Sequence, residues 1–369
     1  MNLFAEPSPI ESEFKGRMFK MARLCGVGRT QSELAEAMRE SDPSLLTSQA
    51  SISRWEDLYA EPSDEELKVA SAVMKFPIEF FVHDGEQYGI GACCLYHRKK
   101  KKLPAKVLQA VHARVNVIGI GVEQLLSKRA SIRSHCNLPT YRVAPTRTPE
   151  SIARKVRKDL GIAPGPVRDL MASVEATGAI VILMNLPTGE LDAISVRPSN
   201  APPLVFLSRH APADRQRWTL AHELGHLVMH DEERDGIEKE ADQFAAELLM
   251  PASTIRTQLK KLTLETAGEL KQEWRTSIQS IVRRAVDTKA ITAYRSRTLY
   301  AKLGRLGGMR YQGGTIPRDV PTTLQRVIDA HRRRLKRSLD DLARLTFCVD
   351  ADQFQNRFME PDQRWGVMG

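Results

Sequence analysis

The sequence predicts a mostly α-helical protein with a small β-sheet, in which an all-α N-terminal part precedes an α+β part. Three observations carry this. Residues 15–83 read as a series of short helices, one with a clear start signal at Thr30 and Glu33. Two runs, AIVILMNL and PPLVFLS, have the continuous apolar character of buried strands. Around and after them the chain returns to helical patterning, with residues 260–345 mostly helical.

In chain order, a helix runs through RMFKMARLCG, and Thr30 caps a second, QSELAEAMRE. The loop SDPSLLTS leads to QASISRWED, then to a helix DEELKVASAVM and the segment FPIEFF. An apolar run around Cys93 and Cys94 passes through HRKKKKLP into another helical stretch ending near 129. The Pro/Thr-rich piece NLPTYRVAPTRTP marks a boundary. SIARKVRKDLGI is patterned as an amphipathic helix, and GPVRDLMASVEATG as one that stops at Gly178. The two strands follow, then a helical block from Pro212, with a break at GRLGGMRYQGGTIP. The expected division is a helical module at 15–83, a basic connecting segment with a helix at 84–148, the α+β domain at 149–310 and a helical extension at 311–369.

Composition narrows the class. The 369 residues carry 55 Lys+Arg against 45 Asp+Glu, a net +10, which favours a polyanionic partner. Hydrophobic residues at 42% and charged residues at 27% are ordinary globular usage. No stretch approaches 18 uninterrupted apolar residues, and the N-terminus lacks the basic-then-apolar order of a secretion signal. The five cysteines, Cys25, Cys93, Cys94, Cys136 and Cys348, form no CxxC pair, which fits a reducing cytoplasm and no membrane partner. No phosphate-binding GxxxxGK[ST] loop or GxSxG elbow is present, and Gly119-Ile120-Gly121 lacks the third glycine of a dinucleotide turn.

The densest chemistry lies in RWTLAHELGHLVMH. His222 and His226 stand at i and i+4 on one helix face, so both imidazoles reach a single ion. Glu223 lies about 100° round the helix, placed to act as base on a water beside the metal without being a ligand. Gly225 leaves room beside the metal for backbone or substrate. Downstream, in IEKEADQFAAELLMP, Glu238 can complete a His2Glu set for Zn2+, leaving a fourth position open. Asp242, one turn on, can accept the N–H of a ligating histidine. Glu240 competes for the third position, but only Glu238 brings a carboxylate at i+4. His230 is too far along a straight helix to share the ion and suits the C-terminal end of the helix dipole.

RWTLAHELGHLVMH, followed by the E-x-E-A-D stretch and FAAELLMP, resembles the ImmA/IrrE family of zinc metallopeptidases, gluzincin-like enzymes of bacteria and phages. The resemblance extends over roughly residues 150–310. It implies His222, His226 and Glu238 as zinc ligands and Glu223 as catalytic general base. Trp218 stands where the family usually has Phe, and Asp242 where Asn is common. Candidates for stabilising the oxyanion are Tyr294, Tyr300, Tyr311 and His210.

The N-terminal helices suit a helix-turn-helix, with Ile52 turned inward and Gln49, Ala50, Ser51, Ser53 and Arg54 offered to base edges and phosphates. TQSELAEAM, SISRWE and the closing FPIEFF resemble the Cro/C1-type (XRE) DNA-binding family, although the loop between the second and third helices is several residues longer than the usual tight turn. The resemblance implies Gln31 and Ser48 near phosphates, and Gln49, Ala50 and Ser53 near bases. The basic runs 98–102 and 331–337 lie outside the reading helices, the first as a phosphate-contacting arm or a solvated loop, the second as a solvated face.

Together these features lead to the expectation of a cytoplasmic, DNA-binding transcription regulator with zinc-dependent endopeptidase activity. Its partners are double-stranded operator DNA, a helix-turn-helix repressor as protein substrate, and a second copy in a homodimer. The alternative is a non-proteolytic repressor or antitoxin that uses the peptidase fold as a sensor or partner-binding module. A zinc-sensing regulator is a third reading.

Overall fold

The computed structural model describes residues 14–26, 30–85, 104–127, 138–186, 191–198, 201–231, 234–307 and 314–359. The run 98–102 and Cys93, Cys94, Cys136 and Tyr311 lie outside the described residues. The chain forms two compact units that are not consecutive segments: one gathers residues 1–87, 104–130 and 331–369, the other 88–103 and 131–330.

The first unit opens with α1 (Gly16–Cys25), α2 (Gln31–Ser41), α3 (Gln49–Glu56), α4 (Asp64–Met74) and the short α5 (Ile78–Phe81). Thr30, Ser48 and Ser63 each close a capping box at the start of α2, α3 and α4. These boxes satisfy backbone N–H groups that a helix start leaves orphaned. Phe19 centres the core, with its ring 5.8 Å from Trp55 and 5.5 Å from Phe81. Beside it, Arg23 makes a buried fork to Glu56, at 2.5 and 2.9 Å. The long turn between α2 and α3 is tied down: Leu45 and Thr47 are buried, Arg39 donates to the Thr47 carbonyl, and the Thr47 hydroxyl donates to Glu66.

Helix α6 (Ala105–Leu125) packs on α1 and adds Ala113, Val117 and Ile120 to the same core. Among the described residues no helix is long and apolar enough to cross a membrane. Gly121 in α6 serves packing, because a Cβ there would stand 2.3 Å from the Phe358 ring.

The second unit begins with α7 (Pro149–Asp159), capped by Thr148, and α8 (Leu170–Glu175), capped by Asp169. Helix α8 is shorter than its sequence pattern, because Gly165 sits at φ 105° and the helix starts only after Asp169. Strands β1 (Ile180–Met184), β2 (Ala193–Val196) and β3 (Leu204–Ser208) form a sheet in the order β1-β3-β2, with β1 parallel and β2 antiparallel to β3. β2 is an addition to the two strands expected. Its four residues between LD and RP are too short to show a period.

Helices α9 (Ala213–Met229) and α10 (Ile237–Leu249) follow and pack on one another. Then come α11 (Ala252–Leu259), α12 (Leu264–Trp274), α13 (Ile278–Asp287), α14 (Ala293–Arg305) and α15 (Thr323–Arg334), and finally α16 (Leu339–Leu345) and α17 (Ala351–Phe354), which belong to the first unit. In that unit α16 packs on α6, Gln353 donates to the Lys75 carbonyl, and His331 hydrogen-bonds the Leu125 carbonyl at 2.7 Å.

Buried charges hold α9 and α10 in place. Lys271 pairs with Asp214 at 3.0 Å, both almost fully buried. Arg217 pairs with Asp319, which also accepts the Leu170 N–H. Glu247 on α10 takes Arg284 from α13 and Arg154 from α7. Removing one member of such a pair leaves a buried charge uncompensated, at a cost of about 3–5 kcal/mol.

Candidate metal centre

Helices α9 and α10 bring His222, His226 and Glu238 together. The two Nε2 atoms are 3.0 Å apart, and Glu238 oxygens lie 3.4 Å from His222 Nε2 and 3.2 Å from His226 Nε2. Gly225 permits this convergence. A Cβ there would meet Phe244 at 3.0 Å and the Ala241 Cα at 3.4 Å, so of the two uses expected for the space, backbone or substrate, it goes to α10 and its backbone.

Each histidine has its other nitrogen engaged. His222 Nδ1 faces Asp242 at 3.0 Å. His226 Nδ1 faces His230 Nδ1 at 2.9 Å. His230 Nε2 faces Glu240 at 2.9 Å, and Arg234 holds Glu240 by two further bonds. Glu240, the competing third ligand, is thus spent on His230 and Arg234. His230 does end α9, but burial pushes its pKa down to about 4 against the opposing pull of Glu240. It is therefore not the cation favoured by a helix dipole.

The donor set fits a divalent cation. With Nδ1 protons directed outward, both Nε2 lone pairs and a carboxylate point at one small volume. Glu238 Oε1 is buried there without a hydrogen bond. In the metal-free chain a proton does what a cation would do. Burial alone lowers the His222 pKa, but hydrogen bonds with Asp242 and Glu238 outweigh it and lift it to about 10. Burial likewise raises Glu238, but the His222 and His226 rings facing it outweigh that and bring it down to about 2. Two imidazoles and one carboxylate are a zinc-type set with room for a fourth ligand.

Glu223 is 1% exposed, and the Ser195 hydroxyl donates to its Oε2 at 2.5 Å. Ser195 sits on β2, which runs alongside α9. Arg215 on the helix pairs with Asp192 before the strand, at 2.7 Å, and Arg197 after it donates to the Leu227 carbonyl. Five strand residues advance about 16–17 Å and twelve helical residues about 18 Å, so the three ties stay in register. This contact was missed in the sequence; its one signal is the lone hydroxyl within the apolar AISV.

Residues 174–286 match the family model of the IrrE N-terminal-like domain, a peptidase M78 domain. No curated protein matches the chain. The IrrE-like segment runs from the end of α8 into α13 and so contains the sheet, both metal-site helices, Ser195 and the Glu247–Arg284 pair. It leaves out Asp319, the partner of Arg217. Of the oxyanion candidates, Tyr294 is 76% exposed, and the Tyr300 hydroxyl donates to the Gln279 carbonyl at 3.3 Å. A cleft of about 480 Å3 adjoins the site, lined by Trp218, Glu238, Asp242, Arg283 and Asp287 among others.

The helix-turn-helix positions fall on the α2–α3 pair. Ser48, Gln49, Ala50 and Arg54 are exposed, Ser51 and Ser53 half-buried, while Ile52 and Trp55 face the core. Ser48 and Ser51 are engaged in their capping box. Gln49 donates to Gln31 at 2.6 Å, and Gln31 donates to Glu56 at 2.9 Å.

Proposed function

We propose that this chain is a zinc-dependent endopeptidase. The observation that carries the reading is the convergence of His222, His226 and Glu238 beside a buried Glu223 that a serine holds in place. Zinc held by the three side chains supplies Lewis acidity, lowering the pKa of water toward about 7 and polarising a carbonyl. Glu223 takes the proton of the attacking water as the C–O bond forms. It then gives that proton to the amine nitrogen as the C–N bond breaks. Ser195 holds Glu223 in place by donating to its Oε2.

The N-terminal unit supports a second role. The exposed Gln49, Ala50 and Arg54 share one face of α3, opposite Ile52 and Trp55, as a DNA-reading helix requires. Acidic side chains outnumber basic ones over residues 30–85, so the protein's positive excess lies elsewhere. Recognition by this face rests on base contacts more than on phosphate neutralisation, and its salt dependence is shallow. The substrate class is a helix-turn-helix repressor, and the DNA unit brings the peptidase to the promoter that the repressor occupies.

Metal analysis of purified protein, paired with incubation against repressors encoded beside its gene, tests the reading. About one zinc per chain and a cut that Glu223→Gln abolishes are expected. A Glu223→Gln chain that cuts at the wild-type rate refutes the mechanism. Zinc binding and operator binding without any cut favour the non-proteolytic regulator. A gel shift indifferent to Arg54→Ala and to operator sequence removes the DNA role.

A further inference from the structure

The three ligands are not steadied alike. Glu238 is itself a carboxylate, and His222 leans directly on Asp242, whose side chain is 60% exposed. His226 has no carboxylate at its Nδ1. What faces it there is a second imidazole, His230, whose side chain is 1% exposed. We infer that His230 is a positioning residue that locks His226 into the tautomer able to bind the metal, through a relay running His226–His230–Glu240–Arg234.

The proton order follows from donors and acceptors alone. Glu240 is fixed as an acceptor by two bonds from the Arg234 guanidinium, at 3.0 and 2.6 Å. The His230 nitrogen facing it, 2.9 Å away, must therefore bring the proton on Nε2. A neutral ring with its proton on Nε2 has a bare Nδ1, which can only accept. The opposing Nδ1 of His226, at 2.9 Å, must then donate. Its own Nε2 is left with a lone pair, aimed at Glu238 and His222. The opposite tautomer of His226 would turn an N–H into the metal position and two bare nitrogens toward each other. The relay removes that state in advance, so binding does not have to be preceded by a tautomer change. Outer hydrogen bonds of this kind are worth 10–100-fold in metal affinity where they have been removed.

The inference rests on the zinc reading and is tested apart from it. Zinc affinity of the full chain is measured by competition with a chromogenic chelator, alongside thermal unfolding of the metal-free protein. His230→Phe keeps a ring in the buried space and removes the acceptor; it should lose about 10–100-fold in affinity. His230→Asn places an amide oxygen close to the old Nδ1 and should recover most of the loss. Full affinity in a folded His230→Phe chain overturns the inference, as does an equal loss in Phe and Asn variants. Should His230→Phe not fold, Glu240→Ala leaves both rings and removes the relay's anchor. Several-fold weaker zinc then supports the inference, and unchanged affinity overturns it. If wild-type protein takes up no zinc, or takes it up unaffected by His222→Ala, the peptidase reading has failed instead.

Discussion

Replacing Gly225 by alanine sets two opposite effects against each other, and the structure decides between them. In a helix interior alanine is favoured over glycine by about 0.5–1 kcal/mol. Here the new Cβ would lie 3.0 Å from Phe244 Cδ1, 3.3 Å from its Cγ and 3.4 Å from the Ala241 Cα. Carbon atoms prefer about 3.5–4.0 Å, so α9 and α10 must part by about half an ångström. Phe244 and Ala241 are both fully buried, and neither can swing aside. Overpacking of this size costs about 1–3 kcal/mol. The net destabilisation is then about 0–2.5 kcal/mol, a fall in Tm of up to several degrees. The larger effect should fall on the metal, because α10 carries Glu238 and Asp242. Metal sites tolerate ligand displacements of about 0.2 Å, so zinc affinity should fall at least about tenfold while the unit stays folded. Thermal unfolding with and without zinc, together with chelator competition, measures both. A Gly225→Ala chain that is more stable and binds zinc normally refutes the claim that close helix approach is what the glycine provides.

Other perturbations address separate parts of the molecule. Ser195→Ala removes a bond from a hydroxyl to a buried carboxylate, worth about 1.5–3 kcal/mol. Turnover should drop about 10–100-fold with zinc content unchanged, and a loss confined to KM counts against the positioning of Glu223. Glu56→Ala leaves Arg23 charged and buried and should destabilise the first unit by about 3–5 kcal/mol, with urea unfolding as the check. A cost under about 1 kcal/mol would show that water reaches Arg23. The pH dependence follows from two groups of the metal-free chain. His222 is raised from 6.5 to about 10, so its contribution is complete below pH 6.5 and lost as pH rises through about 10. Glu238 is lowered from 4.5 to about 2, so its contribution is complete above pH 4.5 and lost as pH falls through about 2. The stability advantage of metal-free wild type over Glu238→Gln should be largest between about pH 4.5 and 6.5 and shrink on either side. A constant difference from pH 3 to pH 10 contradicts this.

What was legible in the sequence is what is local in it. The i, i+4 histidines share one helix, the Glu238–Asp242 spacing another, and the capping box of Thr30 and Glu33 closes within four residues. Signals of this kind need no knowledge of the fold. Ser195 meets Glu223 across 28 positions, and Arg217 meets Asp319 across 102. Neither pairing leaves a trace in spacing. β2 escaped because four residues cannot establish a period, and α8 came out short because Gly165 stands in a positive-φ conformation ahead of it. Gly225 was legible as room for backbone or substrate, with the choice between them left open. Its smallness was visible, but only the packed helix opposite says what the space is for. The long turn before α3 likewise has its explanation elsewhere, in Glu66 one helix further on.

The interleaving of the two units has a consequence for how the molecule is made. The helical unit begins the chain, yet Phe358, which fills the space left by Gly121, and His331, which bonds to Leu125, come after the whole second unit. A ribosome therefore releases the N-terminal helices long before the residues that finish them. Throughout that interval the nascent chain holds α6 with part of its packing surface uncovered, while residues 131–330 of the second unit emerge as one stretch. Synthesis order thus makes the metal centre the first part to be complete and the N-terminal helical unit the last.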